Sequence, residues 1–145
     1  MTAIAFKDST GNTIPVRGQP TGEMFISSGI RVNTTLSIAN GASVSNTLDC
    51  TYTSILGFVA PAAWTAAALN IEVSADNTNW VTTGLIDGYG AVVGSWVSVT
   101  AGAGYSVDAA PMLAWRYIRL RSGTAATPVA QGAQRDFVCV TRPLA

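Results

Sequence analysis

The ionisable side chains of this sequence limit the chemistry that it can perform. Its 145 residues include 8 Lys and Arg, 8 Asp and Glu, and no histidine. Without histidine there is no imidazole general base, no Ser-His pair and no histidine ligand for zinc or iron. The single lysine, Lys7, lies beside Asp8 near the N-terminus, a poor setting for a desolvated Schiff-base lysine. The sequence therefore predicts no catalytic residues, and we expect the protein not to be an enzyme.

The acidic and glycine residues form no motif typical of a metal, phosphate or sugar-cleaving site. Asp76, Asn77 and Asn79 have the spacing of calcium ligands, but no bidentate glutamate follows and a tight turn uses the same residues. The glycine-rich tract at 84–104 contains no phosphate-binding G-x-G-x-x-G motif opening a helix, so hairpin loops explain it. We therefore expect neither a metal nor a cofactor. Five further acidic residues form no sequence pair diagnostic of a glycosidase: Asp49, Glu72, Asp87, Asp108 and Asp136.

The two cysteines are predicted to be buried free thiols. Cys50 and Cys139 are far apart in the sequence and belong to no C-x-x-C motif, which argues against a redox or metal-binding pair. A disulfide between them is the alternative.

The arginines near the end of the sequence could bind an anion. Arg119 and Arg121 share a face of one predicted strand, and Arg116 takes the other face. A carboxylate or phosphate clamp is conceivable, but ion pairs within the subunit or across an interface are favoured. The acidic candidates for these pairs are Asp87, Asp108 and Asp136.

The aromatic residues could stack on the apolar side of a sugar ring. Packing in the core or at a sheet edge is favoured because most of them fall at strand positions, so no glycan-stacking residue is assigned. The aromatic residues concerned are Trp64, Trp80, Trp96, Trp115, Tyr89, Tyr105 and Tyr117.

The low charge of the chain restricts its partners. Charged residues make up 11% of the sequence, against roughly 25% in ordinary soluble domains. A formal net charge of +0 gives no electrostatic attraction to nucleic acid or to anionic lipid. No stretch reaches the about 20 apolar residues that span a membrane, and the start lacks a signal peptide, so we expect a soluble protein made in a cytoplasm. A weakly charged surface also favours a protein that is a subunit of an assembly.

Alternation of apolar and polar residues with period two is the main structural signal. Residues 30–38 and 69–74 show it most clearly. The short, Thr-containing segment at 62–69 is the sole helical candidate, and a helix there is not favoured. Turn residues separate the strands, which predicts an all-β fold, an antiparallel sandwich or barrel. Of these two, we expect an antiparallel jelly-roll-type β-sandwich with an extended N-terminal arm. Further strands are predicted at 48–52, 55–59, 92–99, 105–107, 117–120 and 137–140.

The first 28 residues carry many glycines and prolines and are predicted to form an extended N-terminal arm. The domain boundaries are therefore 1–28 for the arm and 29–145 for the sandwich. The arm could add a strand to a neighbouring chain, or it could supply the first strand of its own sandwich. The predicted assembly residues of the arm are Ile4, Phe6, Ile14, Pro15 and Val16.

Two segments carry a resemblance to a known fold family. Residues 71–80, IEVSADNTNW, combine an apolar strand, a Ser-Asp turn and a tryptophan, and residues 116–120, RYIRL, place an aromatic and alternating apolar residues after an arginine. Both segments resemble galactose-binding-like, discoidin-type sandwiches. The family often binds sugars or lipids through loops at one end, but no matching ligand motif occurs here.

A narrower resemblance covers residues 48–140 and the arm. The segments at 61–69, 71–80 and 120–131, in this order, look like small structural proteins of tailed bacteriophages and related particles, and residues 5–16 are similar to the N-terminal arms of virion proteins. The resemblance implies a non-enzymatic virion component, such as a capsid decoration, a spike or fibre base, or a neck or tail adaptor. It implies a homo-oligomer that contacts other virion proteins and assembles in the bacterial host cytoplasm. The alternative is a carbohydrate-binding module that recognises host surface glycans.

Overall fold

The computed structural model describes residues 31–83 and 99–144, together with six two-residue strands outside these ranges. Contacts between residues divide the chain into two units, Met1–Gly29 with Ala145, and Ile30–Leu144. Within the described ranges, no helix is long and apolar enough to cross a membrane.

The described residues of the first unit form two antiparallel strand pairs. Strand β1 (Phe6–Lys7) pairs with β2 (Thr13–Ile14), and β3 (Arg17–Gly18) pairs with β4 (Met24–Phe25). The predicted assembly residues Ile4, Pro15 and Val16 lie outside the described residues, so the assembly role of the arm stays a prediction.

The second unit contains two four-stranded antiparallel sheets, which confirms the all-β prediction. The first sheet has the order β12-β7-β14-β5, and the second has the order β6-β13-β8-β9. A separate pair joins β10 (Leu85–Ile86) to β11 (Val92–Val93). The strands of the first sheet are β5 (Val32–Ile38), β7 (Thr53–Val59), β12 (Gly104–Ser106) and β14 (Arg135–Pro143). Those of the second are β6 (Leu48–Asp49), β8 (Leu69–Ser74), β9 (Val81–Thr82) and β13 (Tyr117–Ser122).

The predicted strands differ from the observed ones mainly at their ends. The prediction at 48–52 shortens to Leu48–Asp49, because the chain turns after Cys50, and the prediction at 137–140 lengthens to Arg135–Pro143. Of the strand predicted at 92–99, Val92–Val93 falls among the described residues. The sequence did not predict the four-residue helix α1 (Ala109–Met112).

Alternating side chains from both sheets form one hydrophobic core. On β13, Ile118 and Leu120 point inward, and on β14, Phe137 and Cys139 do the same. Phe137 is the centre of an aromatic cluster. Its ring centroid lies 5.8 Å from that of Phe58 and 5.4 Å from that of Trp64. Such edge-to-face pairs stabilise a core beyond the area that they bury. The other members of the core are Leu36, Ile38, Cys50, Ile55, Ala60, Leu69, Ile71, Val73, Val107 and Met112.

A buried glutamine holds the non-helical segment that follows β7. Gln131 is 0% exposed, and its Oε1 accepts a hydrogen bond from the backbone N–H of Thr65 at 2.9 Å. Its Nε2 donates to the Thr65 carbonyl and to the hydroxyl of Ser122. These bonds satisfy backbone groups that a helix would otherwise pair internally. The segment at 62–69 therefore needs no helix, and none forms there.

Edge strand β5 is capped by a side chain. The Oδ1 atom of Asn46 accepts from the backbone N–H of Ser37 at 2.6 Å, and the Asn46 N–H donates to the Ser37 carbonyl at 3.1 Å. The Asn46 amide nitrogen also donates to the carbonyl of Thr35 at 3.4 Å. The outward-facing backbone groups at this end of β5 are thus already hydrogen-bonded.

Candidate functional site

A buried carboxylate lies on the outer side of the second sheet. Glu72 is 2% exposed although it points away from the hydrophobic core, and it faces Arg119 in the β8–β13 register. Arg119 Nε donates to Glu72 Oε2 at 2.7 Å, and Arg121 Nε donates to Glu72 Oε1. The prediction that Arg119 and Arg121 share a strand face is confirmed.

Within the described part of the chain, the predicted pairing of the arginines with Asp108 or Asp136 is wrong, and pairing across an interface stays a prediction. Arg119 and Arg121 pair with Glu72, and Arg116 pairs with Asp49. Asp108 instead accepts from the Ala110 N–H, Asp136 accepts from Ser37 and Gln134, and Asp87 lies outside the described residues. The true partners are cross-strand neighbours on β8 and β6, and sheet register brings them close regardless of sequence distance.

Trp80 completes the cluster around Glu72. Its ring lies over the Arg119 guanidinium, with the Cζ atom 4.1 Å from the ring centroid. Arg119 thus forms a hydrogen bond with the carboxylate of Glu72 and lies against the aromatic ring of Trp80. This arrangement uses the Nε–H edge and one face of the Arg119 guanidinium inside the chain, so it favours structural support over capture of an external anion.

The second ion pair is exposed. Arg116 Nη2 lies 3.3 Å from Asp49 Oδ2, and the two side chains are 55% and 49% exposed. Asp49 Oδ1 also accepts from the hydroxyl of Thr51 at 2.6 Å and from its backbone N–H at 2.9 Å. These bonds, led by the Thr51 hydroxyl, lower the pKa of Asp49. The guanidinium of Arg116 also lies over the ring of Tyr117, 4.8 Å from its centroid.

An open depression of about 400 Å³ lies beside this exposed ion pair, and it includes an aromatic residue that sequence reasoning missed. Tyr52 is 80% exposed, far more than a tyrosine held by a core would be. The sequence carried no local signal for this exposure, because residues 48–52 were predicted as a strand, whereas Tyr52 lies in the turn before β7, where side chains face solvent. The depression is lined by Asp49, Thr51, Tyr52, Thr53 and Arg116.

Most of the aromatic residues considered from sequence are occupied by packing. Trp64, Tyr105 and Trp115 pack against the core. Trp80 and Tyr117 each lie against an arginine. Trp96 and Tyr89 lie outside the described residues. The structure therefore brings none of the described members of this set together as an open stacking platform.

The calcium-like spacing around Asp76 forms a turn. Asp76 Oδ1 accepts from the backbone N–H groups of Thr78 and Asn79 at 2.9 and 2.8 Å, and Oδ2 accepts from the Asn79 side chain at 2.7 Å. These bonds, led by that from the Asn79 backbone, hold the pKa of Asp76 well below its usual range. Asn77 adopts a φ of 60° within the turn. In the described ranges, no group of three or more His, Cys, Asp or Glu could hold a metal ion.

Both cysteines are free and buried, as predicted. Burial raises the pKa of the Cys50 thiol to about 11 and that of the Cys139 thiol to about 12. A thiol that stays protonated at neutral pH is a poor nucleophile and a poor metal ligand. The two residues therefore act as small apolar side chains.

The outer face of the first sheet is neutral and apolar at its centre. Val59 and Val138 face each other across β7 and β14 and are 42% and 41% exposed. Beside them, Gly57 and Gly104 present no side chain, which leaves an open depression of about 340 Å³ that Arg31 also lines. This face has the chemistry of a contact surface, since it exposes apolar area without a dense set of charges.

No protein-family model and no curated protein matches this sequence. The resemblance to discoidin-type sandwiches and to bacteriophage structural proteins therefore stays a prediction that depends on the motifs described above.

Proposed function

We propose that this protein is a non-enzymatic structural subunit of a bacteriophage or phage-like particle, where it forms homo-oligomers and contacts other virion proteins. It is made and assembled in the bacterial host cytoplasm. In this proposal the second unit is a jelly-roll-type sandwich of the galactose-binding-like kind, and residues 1–28 are the anchoring arm.

The observation that carries the proposal is the outer face of the first sheet. Val59 and Val138 expose apolar area side by side at the centre of this face, and a subunit buries such a face against a neighbour. Burying neutral side chains also avoids the desolvation cost that ionic groups would incur. The low charge of the whole sequence is consistent with this role.

The topology supports the finer assignment of the fold. In the first sheet β14 lies between β7 and β5, and in the second sheet β13 lies between β6 and β8. Strands from the C-terminal part of the chain therefore lie inside both sheets, as they do when connections cross between two packed sheets.

The test is to purify particles from the culture that produces the protein and to count its copies by mass spectrometry. We expect a fixed copy number per particle. Hundreds of copies would indicate a capsid coat, and about a dozen or fewer would indicate a vertex, neck or tail. A variant lacking residues 1–28 should fold but stay out of the particles. Absence of the full-length protein from purified particles contradicts the proposal, and normal incorporation of the truncated variant contradicts the role of the arm.

A carbohydrate-binding module is the second candidate, and the depression at Tyr52 favours it. An exposed tyrosine beside an Asp49–Arg116 pair offers an apolar platform together with hydrogen-bond donors and acceptors, which is the combination that sugar rings require. A glycan array with the wild-type protein and a Tyr52→Ala variant separates the candidates. Saturable binding that the substitution removes supports the module, and absence of binding supports a purely architectural subunit.

A further inference from the structure

The outer side chains of β14 follow a charge pattern along the strand. Asp136, Val138, Val140 and Arg142 alternate with the inward residues, so they lie on one face in this order. The carboxylate and the guanidinium are separated by six residues, or roughly 20 Å of extended strand. One end of the face is therefore negative, the centre is apolar and the other end is positive.

Neighbouring strands extend the apolar centre into two cross-strand rows. The positions beside the two valines are small or neutral, and they carry no charge. One row consists of Thr35, Val138, Val59 and Gly104, and the other consists of Asn33, Val140, Gly57 and Ser106. Arg31 lines the same face and adds to its positive end. A low, uncharged surface of this kind can approach a flat partner closely.

The two charged ends retain the capacity for further contacts. The hydrogen bonds that Asp136 accepts from Ser37 and Gln134, at 2.6 and 2.9 Å, both reach its Oδ1 atom. Arg142 is exposed and forms no ion pair with any residue of the described ranges. A carboxylate at one end and an unpaired guanidinium at the other suit a partner with the reverse order of charges.

We propose that the partner on this face is a second copy of the same chain, packed face to face with its β14 antiparallel, so that Asp136 of each copy meets Arg142 of the other. The inference rests on the proposed function for its biological setting and names the partner that the exposed sheet takes. The valines of the two copies then pack together at the centre, about 10 Å from sheet to sheet.

Charge selects this orientation over the competing one. A two-fold axis that lies in the plane of the interface, perpendicular to the strands, places Asp136 of each copy against Arg142 of the other. A two-fold axis parallel to the strands would place like charges together, and like-charge contacts at an interface are strongly unfavourable. The face is therefore self-complementary in one arrangement, as an interface between identical copies must be.

The size of the face predicts a weak contact. The four strands have 7, 7, 3 and 9 residues. At about 4.8 Å between strands, they cover roughly 400 Å² per copy. The total is below the roughly 1,200 Å² that stable complexes bury. We therefore expect reversible dimers at high concentration. These dimers become stable when other contacts hold the copies together in a particle.

Sedimentation equilibrium of the full-length protein, from about 1 to 500 μM, tests the inference. The wild-type protein should dimerise with a dissociation constant of about 10 to 500 μM. Arg142→Glu and Asp136→Lys should each weaken dimerisation about tenfold or more. The double variant Asp136→Lys/Arg142→Glu should restore it to within about threefold of wild type, because the swapped charges again face each other.

Two matched controls separate this contact from general effects. Arg116→Glu makes the same charge reversal directly before β13 of the other sheet, and Val81→Lys changes a valine that is 53% exposed on β9. Both should leave dimerisation unchanged, whereas Val138→Lys should abolish it. Circular dichroism and thermal melting confirm that each variant is folded. If a charge variant does not fold, Val138→Lys takes its place as the test of this face.

Each outcome decides the question. A wild-type protein that stays monomeric at 500 μM, or a folded charge-swap variant that fails to regain dimerisation, overturns the inference. Dimerisation that follows the charge swap, in a protein absent from particles, supports the inference and removes the proposed function. If the protein is incorporated into particles but its face variants dimerise as the wild type does, the proposed function is supported and the inference is overturned.

Discussion

At the scale of single residues, burial decides the importance of two similar ion pairs. Glu72 is nearly inaccessible and is shared by two arginines, whereas Asp49 lies in solvent with a single arginine. Removing one member of a buried pair leaves an uncompensated charge, while exposed pairs contribute little because solvent screens them.

We expect Glu72→Gln to lower the free energy of unfolding by about 3 kcal/mol, because Arg119 and Arg121 lose their shared carboxylate. Asp49→Asn makes the same chemical change in the exposed pair and should lower the free energy of unfolding far less, because solvent screens that pair. Urea unfolding followed by tryptophan fluorescence measures both. Equal losses in the two variants would contradict the structural role of the Glu72 cluster.

The shared face of Arg119 and Arg121 followed from strand alternation, which depends on adjacent residues alone. Their partner could not be found in the same way, because Glu72 is 47 positions away from Arg119 and meets it through sheet register. The exposure of Tyr52 likewise depends on where the chain turns. Contacts between distant segments are the part of the candidate site that a single sequence does not encode locally.

At the scale of elements, the close approach of β7 and β12 depends on a glycine. A Cβ atom on Gly57 would lie 2.5 Å from the carbonyl oxygen of Tyr105, which is a backbone atom and cannot move aside without shifting the strand. Gly57 pairs directly with Ser106 at this position. The register of β7 with β14 also shifts nearby, between Val140 and Thr141.

Gly57→Ala should therefore destabilise the protein by about 1 to 3 kcal/mol, as overpacking against fixed atoms usually does. Gly104→Ala is the control on the neighbouring strand, since a Cβ atom there meets nothing within 4 Å. It should change the free energy of unfolding by less than about 0.5 kcal/mol. Thermal unfolding of both variants measures the difference, and a neutral Gly57→Ala would show that β12 is not tightly held.

The longer strands were predictable because period-two alternation marks a sheet with one buried face. Tyr117–Ser122 illustrates this, with every second residue buried. Helix α1 and the segment at 62–69 were not encoded in this way. Helix α1 is too short to show a period, and the segment depends on Gln131, which lies 66 positions from Thr65.

At the scale of the whole molecule, stability should depend on pH in the acid range. Hydrogen bonds lower the pKa of Asp49, Asp76 and Asp136 in the folded chain. Between the lowered pKa values and the unfolded value of about 3.9, the unfolded chain binds more protons. Their stabilising effect is therefore complete above about pH 5 and is lost as the pH falls through this window. Because the chain has no histidine, no imidazole titration adds to this dependence between pH 5 and 8.

Urea unfolding at pH 7, 5, 4 and 2.5 checks this dependence. We expect equal stability at pH 7 and 5 and a progressive loss below. Asp76→Asn keeps an acceptor for the Thr78 and Asn79 N–H groups but cannot be protonated. The free energy of unfolding of this variant should therefore fall less steeply below pH 5 than that of the wild type. A wild-type protein equally stable at pH 5 and 2.5 would contradict the assignment.

The amide of Asn46 has a consequence for how copies of this protein associate at high concentration. A bare strand edge recruits identical strands one after another, and a weakly charged chain has little repulsion to stop that growth. By occupying the backbone groups of Ser37, Asn46 opposes lateral polymerisation at this end of β5, where a second chain could pair with the edge only after displacing that amide.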